Sequence, residues 1–137
     1  MKHDTLFLAH QAAHVANRNV REIARLGQIV APERPAGGKG FRARYSFSNL
    51  VQMRIAEEMA RFGVPRKRIG VYLSDLRYSF LRWLEVDGSD GWIIVSDNGQ
   101  WSVVTSFEIL REDQLESSAL LSINIGKIKT EMRNNLK

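Results

Sequence analysis

Arg18, Arg21 and Arg25 are the first residues in this chain whose type and spacing suggest a chemical task. On a helix of about 3.6 residues per turn they share one face. A guanidinium carries a fixed fork of donors, which matches the O6 and N7 acceptors of guanine or the oxygens of a phosphate. Asn19, beside them, has the donor and acceptor that pair with adenine. Val20, Ile23, Ala24 and Gly27 fall on the other face, so one side can pack while the other offers cations. A second basic group follows. Arg34, Lys39, Arg42, Arg44 and Tyr45 surround Gly37, Gly38 and Gly40. A glycine-rich tip can approach a sugar-phosphate backbone without side-chain obstruction. A third group, Arg66, Lys67 and Arg68, crowds the start of a helix, where the backbone dipole already presents positive charge. Each such placement is unfavourable by roughly a few tenths of a kcal/mol. A bound phosphate would offset that cost.

The elements that must position these residues can be read from apolar spacing. Leu6 to Ala16 is expected as a first helix, with Leu8, Ala12 and Val15 inward. Asn17 suits a turn or cap, and Asn17 to Gly27 is expected as the short arginine-bearing helix. Gln28 to Val30 and Phe41 to Tyr45 read as the two strands of a hairpin wing. Ser46 to Gly63 reads as a helix with Phe47, Leu50, Val51, Ile55, Met59 and Phe62 on its stripe. Gly63 suits its C-terminal cap, and Pro65 the first turn of a further helix reaching about Leu84. Ile69, Tyr72, Leu73, Leu76, Phe80 and Trp83 line that helix as core or dimer contacts.

Beyond Glu85 the pattern changes to strands. Trp92 to Ser96 and Trp101 to Thr105 flank Asp97-Asn98-Gly99, a hairpin signal. Ala119 to Ile125 is expected as a third strand and Gly126 to Leu136 as a final helix, with Ile128 and Met132 inward. Arg111 to Glu116 reads as a solvated connector. The fold class expected is α+β. It comprises an N-terminal winged helix-turn-helix of four helices over residues 1–84, then a β-rich extension with a short helix over residues 85–137.

Composition narrows the function. At 137 residues, with 44% hydrophobic and 26% charged residues, the chain suits a globular protein without a bilayer-spanning segment. Its opening residues lack the form of a secretory signal. It has no cysteine, which excludes disulfides, thiolate chemistry and cysteine zinc sites, and fits a cytoplasmic location. The net charge of +5 is unevenly spread. Residues 1–82 hold 15 Lys or Arg against 6 Asp or Glu, whereas residues 83–137 hold 5 against 9. Only the first part is therefore expected to meet a polyanion.

Three chemical alternatives fail on spacing. His10 and His14 sit four apart, but no further ligands complete a metal site. A phosphate-binding P-loop around Gly38-Lys39 needs glycine where Glu33 stands and Ser or Thr where Gly40 stands. Asp87, Asp90 and Asp97 occupy turn positions and do not assemble with a nucleophile or base. No enzyme activity, cofactor or metal is expected.

Residues from about 8 to 80 resemble the MerR family of winged-helix transcriptional regulators. Asn19-Val20-Arg21 resembles the family's Thr-Leu-Arg recognition segment. Pro32, Arg34 and Gly40-Phe41-Arg42-Ala43-Arg44-Tyr45 resemble its wing, Pro-x-Arg-x-x-x-Gly-Tyr-Arg-x-Tyr. Leu50 to Leu76, with Arg61-Phe62-Gly63-Val64-Pro65 and Ile69, resembles the helix pair after the wing. Glu22 and Ile23 stand where the family carries a tyrosine pair, and strands replace its long dimerising helix. The resemblance implies binding to double-stranded DNA, without implying metal or drug sensing. Arg18, Asn19, Arg21 and Arg25 are then expected toward the major groove. Arg34, Lys39, Arg42, Arg44 and Tyr45 are expected on phosphates or the minor groove, and Lys67 and Arg68 on the backbone. A homodimer is expected, with residues 85–137 as dimer or partner surface. The rival reading is a phage-type or antitoxin-like adaptor whose C-terminal sheet binds a protein.

Overall fold

The structure, a computed structural model, describes residues 6–38, 40–79, 91–96, 101–104 and 118–136. Strand β1 (Leu6–Phe7) leads into helix α1 (Ala9–Ala16), and α2 (Val20–Leu26) follows after a short turn. After the glycine-rich loop, strand β2 (Tyr45–Ser46) runs directly into α3 (Phe47–Arg61), and α4 (Arg66–Ser79) comes next. Strands β3 (Trp92–Ser96), β4 (Trp101–Val104) and β5 (Leu120–Asn124) precede helix α5 (Ile125–Asn135). This is a mixed α+β chain, with two small antiparallel sheets among the described residues. Among the described residues, no helix is long and apolar enough to cross a membrane.

Capping chemistry sets the helix ends. Asn17 ends α1 in the left-handed region at φ 53°, ψ 50°, a conformation Asn tolerates better than most residues. Asn19 then starts α2. Its Oδ1 accepts from the Glu22 backbone N–H at 2.8 Å, and the Glu22 carboxylate accepts from the Asn19 N–H at 3.1 Å. This reciprocal box satisfies two donors that an uncapped helix leaves open. Ser46 does the same for α3, accepting from the Asn49 N–H at 3.0 Å. Gly63 takes φ 88° just past α3, where a side chain would strain the backbone.

The core begins in the N-terminal helices and continues through the C-terminal elements. Ala12, Ile23, Leu50, Ile55 and Ile69 belong to the same apolar cluster as Ile93, Ile123, Ile125 and Met132. Helix α5 packs on α1 and α3, and the Asn135 side-chain amide donates to the Val15 carbonyl at 2.9 Å. The second sheet has the order β4-β3-β5. Its central strand pairs Val95 with Trp101 on one side and with Leu121 on the other. Ile93, Ile94, Val95 and Ser96 of that strand are all buried. The boundary expected between residues 84 and 85 lies outside the described residues, but the described elements on either side share one core.

Several expectations change. Leu6 and Phe7 form a strand, not a helical turn, because they pair with Ser46 and Tyr45. Gln28 to Val30 are a helical turn, not a wing strand. The Gln28 N–H donates to Arg25, and the Ile29 and Val30 N–H groups to Leu26. Phe62 was expected on the inner stripe, yet it is 66% exposed because α3 stops at Arg61 and the backbone reverses at Gly63. Ile128 and Met132 face inward as expected. The side chains of Leu76, Phe80 and Trp83, the Asp97-Asn98-Gly99 turn, Asp87, Asp90, Thr105 and Arg111 to Glu116 lie outside the described residues.

Candidate nucleic-acid interface

Helix α2 buries Ile23 and Leu26 and turns Val20, Arg21, Ala24 and Arg25 outward. The outer face is thus half apolar and half cationic, since Val20 and Ala24 are exposed where packing was expected. Arg21 and Arg25 are four residues apart and form no ion pair among the described residues.

The two residues ahead of α2 are committed elsewhere. Arg18 precedes the helix and does not share the face of Arg21 and Arg25. Its Nε donates to both oxygens of Glu57, at 2.9 and 3.1 Å, and its Nη1 to the Asn17 carbonyl at 2.9 Å. The pair is four-fifths shielded from solvent on both sides and ties the turn to α3. Arg18 is therefore a fastener in this structure and not a free base reader. Asn19 uses its carbonyl oxygen as the α2 cap, which removes the acceptor half of a bidentate pairing with adenine.

The loop expected as a wing has no two-stranded hairpin of its own among the described residues: Phe41 to Ala43 are irregular, Tyr45 pairs with Phe7, and one isolated bridge joins the limbs. Arg34 and Arg44 exchange backbone hydrogen bonds at 3.1 and 2.8 Å. Nearer the tip the Gly37 N–H donates to the Phe41 carbonyl at 3.2 Å. Gly38 and Gly40 take φ 66° and 87°, so glycine is required there by the turn itself. Arg34 and Arg42 are exposed, and Arg44 is half-buried. Lys39 lies outside the described residues. Tyr45 corrects the expectation of a phosphate contact. Its ring is 6% exposed, in the core, and a Cβ added at Gly27 would sit 3.5 Å from its hydroxyl. Burial pushes its phenol pKa above the ordinary 10.0.

Asn49 is the positioning residue that sequence reasoning missed. Buried in the first turn of α3, its Oδ1 accepts from the Ser46 N–H at 2.9 Å and from the Glu33 N–H at 2.8 Å. One oxygen therefore joins the base of the wing to the start of a core helix. The third basic group is also anchored. Arg66 donates to Gln28 Oε1 at 3.1 Å, which sets the start of α4 against the turn that closes α2. Lys67 and Arg68 remain exposed beside it. His10 and His14 are exposed on α1, and no group of metal-ligating residues forms among the described residues.

The chain matches no protein-family model and no curated protein significantly.

Proposed function

We propose that this chain binds double-stranded DNA as a winged helix-turn-helix regulator of the MerR-like kind, with no catalytic role. In this reading Arg21 and Arg25 enter the major groove, where arginine pairs with guanine. Arg34, Arg42 and Arg44 hold the flanking backbone from the wing, joined by Lys39. Lys67 and Arg68 add phosphate contacts that position the protein without specifying sequence. The observation that carries the proposal is the distribution of partners. Arg18, Arg54 and Arg61 each have a glutamate within 4 Å, whereas Arg21, Arg25, Arg34, Arg42, Arg44, Lys67 and Arg68 form no ion pair among the described residues. Cations without internal partners make the electrostatic footprint of a nucleic-acid surface.

One such module covers roughly 600–1,000 Å² of protein surface on DNA, so a two-fold dimer on a palindromic site is the natural route to high affinity. The test is binding to random duplex DNA across a salt series. The expected slope of log affinity against log salt is about −0.9 for each phosphate neutralised. Binding that ignores salt, or no binding, overturns the proposal. The adaptor reading has one observation of its own: an apolar hollow lined by Phe62, Val64, Val95, Leu120 and Leu121. A salt-insensitive protein complex that Leu120→Asp abolishes would favour it.

A further inference from the structure

Phe41 has no place in the contacts assigned above. It is 72% exposed, more than any other large hydrophobic residue among those described, and sits at the wing tip between Gly40 and Arg42. Two backbone hydrogen bonds hold it there. Its carbonyl accepts from the Gly37 N–H at 3.2 Å, and its N–H donates to the Gly38 carbonyl at 3.4 Å. The backbone that carries the ring is therefore held in a closed turn, and the ring is left in water without burial.

A Cβ placed on Gly38 or Gly40 would meet nothing within 4 Å apart from its own chain neighbours. The minor groove of B-DNA is only about 6 Å wide, and glycines at positions 38 and 40 let the backbone approach it closely there. Exposed Arg42 follows the ring in the chain, and arginine is drawn to the strongly negative potential of a narrow minor groove. An exposed aromatic ring beside a cation on a glycine-bearing turn is the chemistry of a side chain that enters between base steps.

We infer that Phe41 inserts into the minor groove beneath the wing, partly unstacking one base step and kinking the duplex there. The inference rests on the DNA-binding reading and deepens it. Its preferred target is a pyrimidine–purine step, TA or CA/TG, because these unstack most readily. The bend would turn toward the major groove, by an angle of roughly 20–90°.

The experiment uses duplexes recovered by selection from a random pool, with 2-aminopurine placed at each position in turn. Wild-type protein is expected to raise the fluorescence at one step under the wing and to shorten the end-to-end distance measured by energy transfer. Phe41→Ala should abolish both signals and weaken binding about tenfold, while its affinity keeps the wild-type salt slope. Phe41→Leu should retain most of the signal, since leucine also serves as a wedge. A mismatch at the kinked step should restore the Phe41→Ala affinity by removing the unstacking cost. Salt-dependent binding with no 2-aminopurine response, or a response unchanged in Phe41→Ala, would overturn the wedge and leave DNA binding standing. Failure of both wild type and variant to bind any duplex would remove the two together.

Discussion

The arginines along α3 and those on α2 and the wing are the same residue in opposite circumstances. On the α3 side, Arg18 meets Glu57 at 2.9 Å, and Arg54 and Arg61 share Glu58 at 3.2 and 3.4 Å. Each guanidinium there lies within 4 Å of a carboxylate supplied by the chain, although Glu58 serves two of them and Arg61 is 63% exposed. On the α2 and wing side, Arg21, Arg25, Arg34 and Arg42 are exposed without such partners among the described residues. The contrast teaches that residue type alone does not mark an interface. Position relative to the chain's own acids separates a scaffold arginine from one free to meet a polyanion.

The largest effect should come from breaking the scaffold side. Glu57→Ala leaves the shielded Arg18 with the Asn17 carbonyl and the more distant Glu22 carboxylate, at 3.9 Å. A loss of about 2 kcal/mol of unfolding free energy is expected, as for other hydrogen bonds to charged groups. Denaturant unfolding measures it. An unchanged midpoint, or a gain in DNA affinity from the released guanidinium, would erase the distinction drawn above.

The opposite pattern is expected on the other side. Arg21→Ala should leave the unfolding midpoint within about 0.5 kcal/mol of wild type, as exposed substitutions usually do. It should lower affinity for a selected duplex by about tenfold and relax preference at one base position. Equal weakening on every sequence would move Arg21 from base reading to backbone contact.

The smallest effect concerns Tyr45, whose burial places it with the scaffold despite its place in the basic loop. Its raised phenol pKa means that the folded state keeps a proton the unfolded chain releases near pH 10.0. The stabilisation is complete below that pH and is lost as the pH rises through the higher folded value. Tyr45→Phe should remove this alkaline fall in melting temperature, leaving DNA affinity at neutral pH unchanged. An alkaline limb that persists in the variant would assign it to another group.

Much of this arrangement was legible in the sequence where a local rule decided it. The spacing of Leu50, Val51, Ile55 and Met59 marked α3, and the apolar strands Trp92 to Ser96 and Trp101 to Val104 pair as their flanking pattern suggested. The third strand and the final helix, with Ile128 and Met132 inward, were equally readable. What could not be read depended on distant partners. Arg18 and Glu57 are 39 residues apart, and Glu33 and Asn49 are 16 apart. No periodicity connects such pairs, so an arginine expected to read bases is bound to a helix instead. Leu6–Phe7 is too short to announce a strand, and its pairing partner lies beyond the wing.

That two-residue strand gives the amino end of the chain a mechanical part in the basic loop. Phe7 and Leu6 hold Tyr45 and Ser46, the last residues before α3, while the Asn49 oxygen holds the opposite limb at Glu33. The loop is thus moored at both feet, like a mast with two stays. Its tip can swing only as far as these moorings yield, so trimming the chain back past Phe7 would slacken an arm more than thirty residues downstream.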